Sequence, residues 1–389
     1  MFDVIWLVVK SLVVLGSTGS IGTNTLNCVR ASPHNFCVEA LVAHSNLDLL
    51  AKQVVEFRPR CVGITGASTE QVKRYDVFAS VETIIGKDAA SLVIDQCDSQ
   101  TVMAAIVGIA GLAPVWKAVT KGKRVLLANK ESLVCAGSLL ITAAATQGSS
   151  IIPVDSEHSS LFRLIEGLKE SCIGSLLLTA SGGPFRGFSK ERLESVTSSD
   201  ALKHPTWSMG PKISVDSSTL MNKALEVIEA SWLFSIPGDH IEVIVHPQSI
   251  VHGGVRLVDG SLVTHMSPPD MRIPISYALH YPHSELRHPI PNLSLLGGEL
   301  LTFEKVDEDV FPSLRFAREA LKVGGSLPAV LNSANEVAVA AFLAQRVSFC
   351  RIFELVEDAM LRYVGHKYDS IDEIFELDTA VRAWVEKQI

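Results

Sequence analysis

Asp155 and Glu157 lie two residues apart in Val154-Asp155-Ser156-Glu157-His158, directly after an apolar, strand-like run from Ile151 to Val154. If the chain stays extended there, the period of two puts both carboxylates on one side. A hard divalent cation such as Mg²⁺ or Mn²⁺, which prefers oxygen ligands, would relieve their repulsion. The competing reading is that Asp155 or Ser156 caps a following helix while Glu157 faces solvent. A second chemical segment, Met221-Asn222-Lys223-Ala224-Leu225-Glu226, opens a helix in which Asn222 and Glu226 share a face and Lys223 stands three residues from Glu226. Ser217, Ser218, Asn222 and Lys223 could then donate to a phosphate while Glu226 reaches a cation. A capped helix with a surface Lys–Glu pair accounts for the same residues.

Two glycine turns add anion-binding potential. Gly16-Ser17-Thr18-Gly19-Ser20-Ile21-Gly22 follows the apolar run Leu12 to Leu15. Gly16 allows a tight turn, Gly19 a close backbone approach to a pyrophosphate, and Gly22 close packing of helix on sheet. Ser17, Thr18, Ser20 and Ile21 offer backbone donors at the positive end of a helix. The second strand ends at Ala43 and is followed by His44-Ser45-Asn46, with Glu39 inside the strand. A neutral polar end tolerates a 2′-phosphate better than a carboxylate would, which favours NADP over NAD. Alternatively, His44 is a loop residue and Asn46 a helix cap. Ser181-Gly182-Gly183-Pro184-Phe185-Arg186 could form another oxyanion-facing turn. His204-Pro205-Thr206-Trp207-Ser208-Met209-Gly210-Pro211 could close over a substrate and exclude water, or be an ordered surface loop with Trp207 tucked into the core.

Positioning these groups calls for several elements. Strands are expected at Leu12–Leu15, Phe36–Ala43, Cys61–Ile64, Met103–Val107, Arg124–Ala128 and Ile151–Val154, alternating with helix-compatible stretches such as Leu47–Phe57. That alternation predicts an α/β fold with a Rossmann-like dinucleotide-binding domain over residues 1–155. Strands at Leu176–Thr179, Ile241–Val245 and Ser261–Met266, with a helix from Thr219 to Phe234, predict a central α+β catalytic domain over 156–281. Residues 282–312, with Pro282, Pro289, Pro291, Gly297, Gly298 and Pro312, read as a linker. Helical periodicity at Leu314–Lys322, Ala329–Gln345 and Ile352–Tyr363 predicts a C-terminal helical domain over 313–389.

Bulk properties fit this picture. A chain of 389 residues, 47% hydrophobic, can build more than one core. A formal charge of -8 and a pI near 5.9 suit a soluble protein and argue against nonspecific nucleic-acid binding. The seven cysteines include no CxxC pair, as expected of reduced thiols in a cytosol-like compartment. The apolar run Val4–Val9 follows Asp3 and breaks at Lys10, unlike a signal peptide. Val102–Trp116 contains two glycines and a proline and is short for a bilayer, so no membrane span is expected.

The segments GSTGSIG from Gly16, LLANKESLV from Leu126, PVDSEHSSLF from Pro153 and SGGPFR from Ser181 occur in order. HPTWSMGPKISVDSSTLMNKALEVIEA from His204, HPQS from His246, PPDMR from Pro268 and LPAVLNSANEVAVAAFL from Leu327 complete the series. Over nearly its whole length the chain resembles the 1-deoxy-D-xylulose 5-phosphate reductoisomerase family of the non-mevalonate isoprenoid pathway. The resemblance implies isomerisation of 1-deoxy-D-xylulose 5-phosphate and NADPH-dependent reduction to 2-C-methyl-D-erythritol 4-phosphate. It assigns Asp155, Glu157 and Glu226 to Mg²⁺, Mn²⁺ or Co²⁺, and Ser181, Ser217, Asn222 and Lys223 to the substrate phosphate. It puts Lys130 and Ser156 at the reacting end, with Glu157 and Glu226 also near substrate. His204, Trp207 and Met209 would belong to a mobile loop. Cofactor contacts would come from Gly16 to Gly22, His44, Ser45, Asn46, Asn129, Glu131 and Gly210. Homodimerisation, inhibition by the phosphonohydroxamate fosmidomycin and a bacterial, cytoplasmic setting are implied as well, since there is no room before Leu12 for a plastid-targeting extension.

The chain departs from the family where many members place Gly and then Lys or Arg before the asparagine; here His44 and Ser45 stand there. Two other readings compete. One is a simple NADP-dependent dehydrogenase of a phosphorylated hydroxy acid or aldehyde, and the other a nucleotide-sensing or dimeric interaction protein on a reductase fold.

Overall fold

The computed structural model describes residues 9–207, 209–282, 290–294 and 300–389. Most of the Val4–Val9 run, together with Ser208, Pro289, Gly297 and Gly298, lies outside the described residues. The chain divides into two compact units. The first comprises Met1–Asn129, Thr142–Asp155 and Met271–Ile290; the second comprises Lys130–Ile141, Ser156–Asp270 and Pro291–Ile389.

The first unit carries a parallel sheet of β1 (Lys10–Leu15), β2 (Phe36–Ala43), β3 (Cys61–Ile64), β4 (Glu82–Ile85), β5 (Thr101–Ala104), β6 (Arg124–Leu127) and β7 (Ile151–Pro153). Their order is β4-β3-β2-β1-β5-β6-β7. Leu12, Val13 and Val14 are fully buried, as expected of a strand covered on both faces by helices. The order reverses between β1 and β5. In open α/β sheets that switch point is where a crevice forms beyond the strand ends, and the Gly16–Gly22 turn leaves β1 there. The turn feeds the Ser20–Ala31 helix, against which the Arg272–His280 helix packs.

The second unit holds a mixed sheet of β8 (Ile173–Ala180), β9 (Ile241–Val245), β10 (Val251–Leu257), β11 (Leu262–Met266) and β12 (Glu304–Lys305), in the order β11-β10-β8-β9-β12. β8 and β9 run parallel and the other pairs antiparallel. The helices Ser313–Val323, Leu327–Leu343, Phe349–Arg362 and Ile371–Glu386 complete this unit. Phe349 is fully buried, with ring centroids of Phe185, Phe342 and Phe353 at 5.0, 5.7 and 5.7 Å in edge-on contact, a favoured aromatic geometry.

The units interleave, whereas cuts at 155, 281 and 312 treat the chain as consecutive blocks. Packing explains the difference. The Arg272–His280 helix belongs with the first unit, and Lys130–Ile141 with the second. The Lys130–Gln147 helix contributes to both and is broken by non-helical dihedrals at Ala136, φ −132° and ψ 27°. Within the stretch read as a linker, Glu304–Lys305 pairs with β9. The helix expected from Thr219 starts at Met221, because Leu220 takes a left-handed conformation, φ 58° and ψ 11°. Among the described residues no helix is long and apolar enough to cross a membrane.

Candidate active site

The glycine turn of the first unit is sterically compulsory. Gly16 has φ +80°, and a Cβ there would come within 2.5 Å of the Ala105 carbonyl oxygen. A Cβ on Gly22 would lie 2.2 Å from the Gly16 carbonyl oxygen, so helix and turn touch backbone to backbone. The Ser20–Ala31 helix has no side-chain cap, and the first N–H groups of a helix lack intrahelical acceptors. The turn therefore fits a pyrophosphate seat, with one correction. Ser17 N–H donates to the Val42 carbonyl at 2.8 Å, so Ser17 braces the turn instead of supplying a backbone donor to the phosphate.

After β2, the exposed His44 pairs through Nδ1 with Thr65 Oγ1 at 3.0 Å, and its ring lies over Gly66. Asn46 Oδ1 accepts from Leu49 N–H at 3.2 Å, capping the Leu47–Phe57 helix, and Ser45 is exposed beside it. Asn129 is buried and donates from Nδ2 to the carbonyls of Ile106 and Gly108 at 2.6 and 2.8 Å, fixing the loop after β5.

The carboxylates meet in a way the extended reading did not foresee. Ser156 opens a helix to Glu166, so Glu157 occupies a first helical turn and not a strand. Asp155 closes the first unit but is peptide-bonded to Ser156. Asp155, Glu157 and Glu226 each offer a carboxylate oxygen, and these oxygens lie within 4.8 Å of one another. Lys223 Nζ donates to Glu157 Oε1 at 2.7 Å and also to Glu226 Oε2. Lys130 Nζ donates to Asn222 Oδ1 at 3.0 Å and Glu226 Oε1 at 3.1 Å, and Asn222 Nδ2 donates to Glu226 Oε1 at 2.6 Å. Ser156 Oγ donates to Glu157 Oε2 at 2.5 Å. Glu226 is fully buried and Lys223 only 4% exposed, so the surface-pair reading of this helix fails. The all-oxygen donor trio fits a hard divalent cation, which would have to displace the ammonium groups of Lys130 and Lys223 from Glu226 and Glu157.

The SGGP turn forms the second pole. Gly183 has φ +65°, and a Cβ there would sit 2.6 Å from the Ser217 carbonyl oxygen, so the turn abuts the segment bearing Ser217. Ser181 Oγ lies 2.9 Å from His204 Nε2 and accepts from Gly183 N–H at 3.2 Å. It lines a cavity of about 620 Å³ with Arg186, Arg192 and Lys203. Lys223 and Asn222 engage the carboxylates. In the loop beyond His204, the Trp207 ring lies 6.3 Å from that of His252. Met209 is half-buried, and Gly210 precedes the Pro211–Ser218 helix with open space where its Cβ would be.

Several groups escaped sequence reasoning. His158 Nε2 lies 2.9 Å from the Glu226 carbonyl oxygen and 3.4 Å from Glu229 Oε2, and Asp155, His158 and Glu229 form a second convergent trio. His252 is buried, which pushes its pKa down, against the pull of Glu157. Glu131 accepts from Lys212 Nζ at 2.7 Å. His158 was visible as part of the acidic motif. Lys212 gave no signal, because its partner Glu131 is 81 residues away.

Comparison with known proteins identifies the family. Residues 12–137 match the 1-deoxy-D-xylulose 5-phosphate reductoisomerase family, and residues 151–234 and 266–384 match two C-terminal domains of the same reductoisomerase. The 1-deoxy-D-xylulose 5-phosphate reductoisomerase of Laribacter hongkongensis is 49% identical over 380 residues, covering 96% of this chain and 97% of that protein. A crystal structure of DOX-P reductoisomerase with NADPH, fosmidomycin and magnesium matches with a TM-score of 0.90 at 36% identity, covering 97% of this chain and 98% of that one. The Zymomonas mobilis reductoisomerase in complex with NADPH gives 0.89 at 38% identity, covering 98% of both chains. The chain belongs to the 1-deoxy-D-xylulose 5-phosphate reductoisomerase family.

Proposed function

We propose that this chain isomerises 1-deoxy-D-xylulose 5-phosphate and reduces the product to 2-C-methyl-D-erythritol 4-phosphate, an NADPH- and metal-dependent step of isoprenoid biosynthesis. The observation that carries the reading is the convergence of Asp155, Glu157 and Glu226, with Lys130 and Lys223 on the same carboxylates. Asp155, Glu157 and Glu226 would hold the divalent cation, and Gly16–Gly22 would seat the NADPH pyrophosphate. When bound, NADPH supplies the hydride and the cation supplies positive charge at the substrate oxygens.

The chain's own residues do the remaining work. Lys130, with its ammonium between Asn222 and Glu226, offers a proton donor and a positive charge to an oxygen at the reacting end. Ser156 lies beside Glu157 and can hold a substrate hydroxyl. Ser181 and Ser217 anchor the phosphate, which fixes the far end of a short molecule and lowers the entropy cost of reaction. Lys223 serves the same phosphate once a cation takes over its carboxylate partners. His204, Trp207 and Met209 would help exclude water from the reacting carbons.

The same reading assigns NADPH binding to the first unit and catalysis and dimerisation to the second, in which residues 313–389 form a helical part. It makes the protein a cytoplasmic bacterial homodimer. His44, Ser45, Asn46, Asn129, Glu131 and Gly210 would complete the cofactor contacts, with Ser45 standing where many family members carry a fixed cation for the 2′-phosphate. Incubation with 1-deoxy-D-xylulose 5-phosphate, NADPH and Mn²⁺, with the product identified by NMR, tests the function. The branched tetrol phosphate is expected, and it should be absent without metal. A product of plain carbonyl reduction would refute the reading.

A further inference from the structure

We propose that Lys212 is a positioning residue that sets the distance between the two ends of the substrate site. It does so by tying the segment that presents Lys130 to the segment that presents Ser217. The inference rests on the reductoisomerase reading above.

Lys212 lies in the first turn of the Pro211–Ser218 helix. Its Nζ is 2.7 Å from Glu131 Oε1 and 2.8 Å from Asp216 Oδ2. Glu131 is the peptide neighbour of Lys130, whose ammonium sits on Glu226. Asp216 is the peptide neighbour of Ser217, whose carbonyl abuts the turn carrying Ser181. One ammonium therefore joins two carboxylates, each one residue from an opposite pole of the site.

The joint is stiff. Glu131 and Asp216 are 5% and 1% exposed, and Asp216 Oδ1 also accepts from Asn335 Nδ2 at 2.8 Å. Burial opposes the lysine's charge, but Asp216 and then Glu131 outweigh it and raise the Lys212 pKa. Burial would likewise raise the Glu131 pKa, yet Lys212 holds it low. Buried ions paired this tightly tolerate little displacement, because a lost partner leaves a charge without solvent. Lys212 also stands two residues after Gly210, and its bond to Asp216 lies within the helix that Gly210 precedes.

The device predicts a particular failure. A short phosphorylated substrate must reach both poles at once, so a change in their separation should weaken spanning ligands and spare ligands of either pole alone. Lys212→Arg keeps the charge but replaces a point donor with a longer, forked one. With Mg²⁺ present, three probes separate the cases: inorganic phosphate, acetohydroxamate, and fosmidomycin, which joins a phosphonate to a hydroxamate. Lys212→Arg should bind fosmidomycin about tenfold more weakly and lower kcat by a similar factor, with phosphate and acetohydroxamate affinities within about twofold of the unsubstituted chain. Lys212→Met should show the same pattern more strongly; should it not fold, Lys212→Arg carries the test. Equal losses for all three probes, or unchanged fosmidomycin affinity in folded Lys212→Arg, would overturn the role of Lys212 alone. Absence of turnover in the unsubstituted chain would overturn the reductoisomerase reading and this inference with it.

Discussion

His204 donates from Nε2 to the Ser181 hydroxyl at 2.9 Å, and the neighbouring backbone fixes that direction. Thr206 and Trp207 N–H groups both donate to Nδ1, at 3.1 and 2.9 Å, so in the neutral ring the proton resides on Nε2. Ser181 Oγ, accepting from His204 and from Gly183 N–H, then points its own hydrogen at another acceptor. Burial lowers the His204 pKa and keeps the ring neutral at pH 7. A loop residue thus orients the hydroxyl proposed to hold the phosphate, while the same ring accepts from the backbone of Thr206 and Trp207.

His204→Phe should therefore raise KM for the phosphorylated substrate about tenfold, the effect of losing one oriented hydrogen bond. Steady-state kinetics check this, with a phosphate-free substrate analogue as control. Equal losses for both compounds would show that the ring only supports the fold.

The Lys223 ammonium occupies the carboxylates proposed to hold the metal, which gives Lys223 an opposing pair of effects. Lys223→Met removes a buried charge from Glu157 and Glu226, so Mn²⁺ should bind about tenfold more tightly. Affinity for the phosphorylated substrate should fall at the same time. Glu226→Gln should weaken Mn²⁺ about tenfold or more by removing one charged ligand. Calorimetric titration reads both, and weaker Mn²⁺ binding by Lys223→Met would contradict the competition.

Sequence periodicity located much of this scaffold but little of its chemistry in three dimensions. Phe36–Ala43, Leu47–Phe57, Cys61–Ile64 and Ile241–Val245 are continuous apolar or amphipathic runs, and they form as expected. β4 escaped because Glu-Thr-Ile-Ile is short, partly polar and at a sheet edge. β10 escaped because Gly253 and Gly254 interrupt its alternation; a Cβ on Gly253 would press on Leu161 and the Leu177 carbonyl. The carboxylate trio could be named, but the Lys223–Glu157 bond spans 66 residues. Spacing along a chain carries no information about such a contact. The helix starting at Ser156 was hidden because Asp, Ser and Glu suit a cap and an extended metal motif equally well.

Two glycines should respond oppositely to the same change. Gly22→Ala forces a Cβ to within 2.2 Å of the Gly16 carbonyl, so it should cost about 2 kcal/mol of stability and largely abolish NADPH binding. Gly210→Ala meets open space at an extended dihedral pair, φ −66° and ψ 159°, and should stay within about 0.5 kcal/mol. Chemical denaturation and a fluorescence titration with NADPH decide both. A stable, NADPH-competent Gly22→Ala would remove the turn from its proposed role.

Acid should loosen the second unit through His265 before most carboxylates titrate. Its pKa is pushed down to about 4 from the ordinary imidazole value of about 6.5 by burial first, then by Arg163 and His252. Ser160 Oγ lies 2.8 Å from its Nδ1. A folded pKa below the unfolded one means that the unfolded chain binds the proton more readily. The stabilisation from this ring is therefore complete above about pH 6.5, declines as pH falls, and is lost below about 4. The melting temperature should drop across that window in the unsubstituted chain, and His265→Asn, which cannot titrate, should show a shallower drop. Parallel pH profiles in the two proteins would rule His265 out as the source.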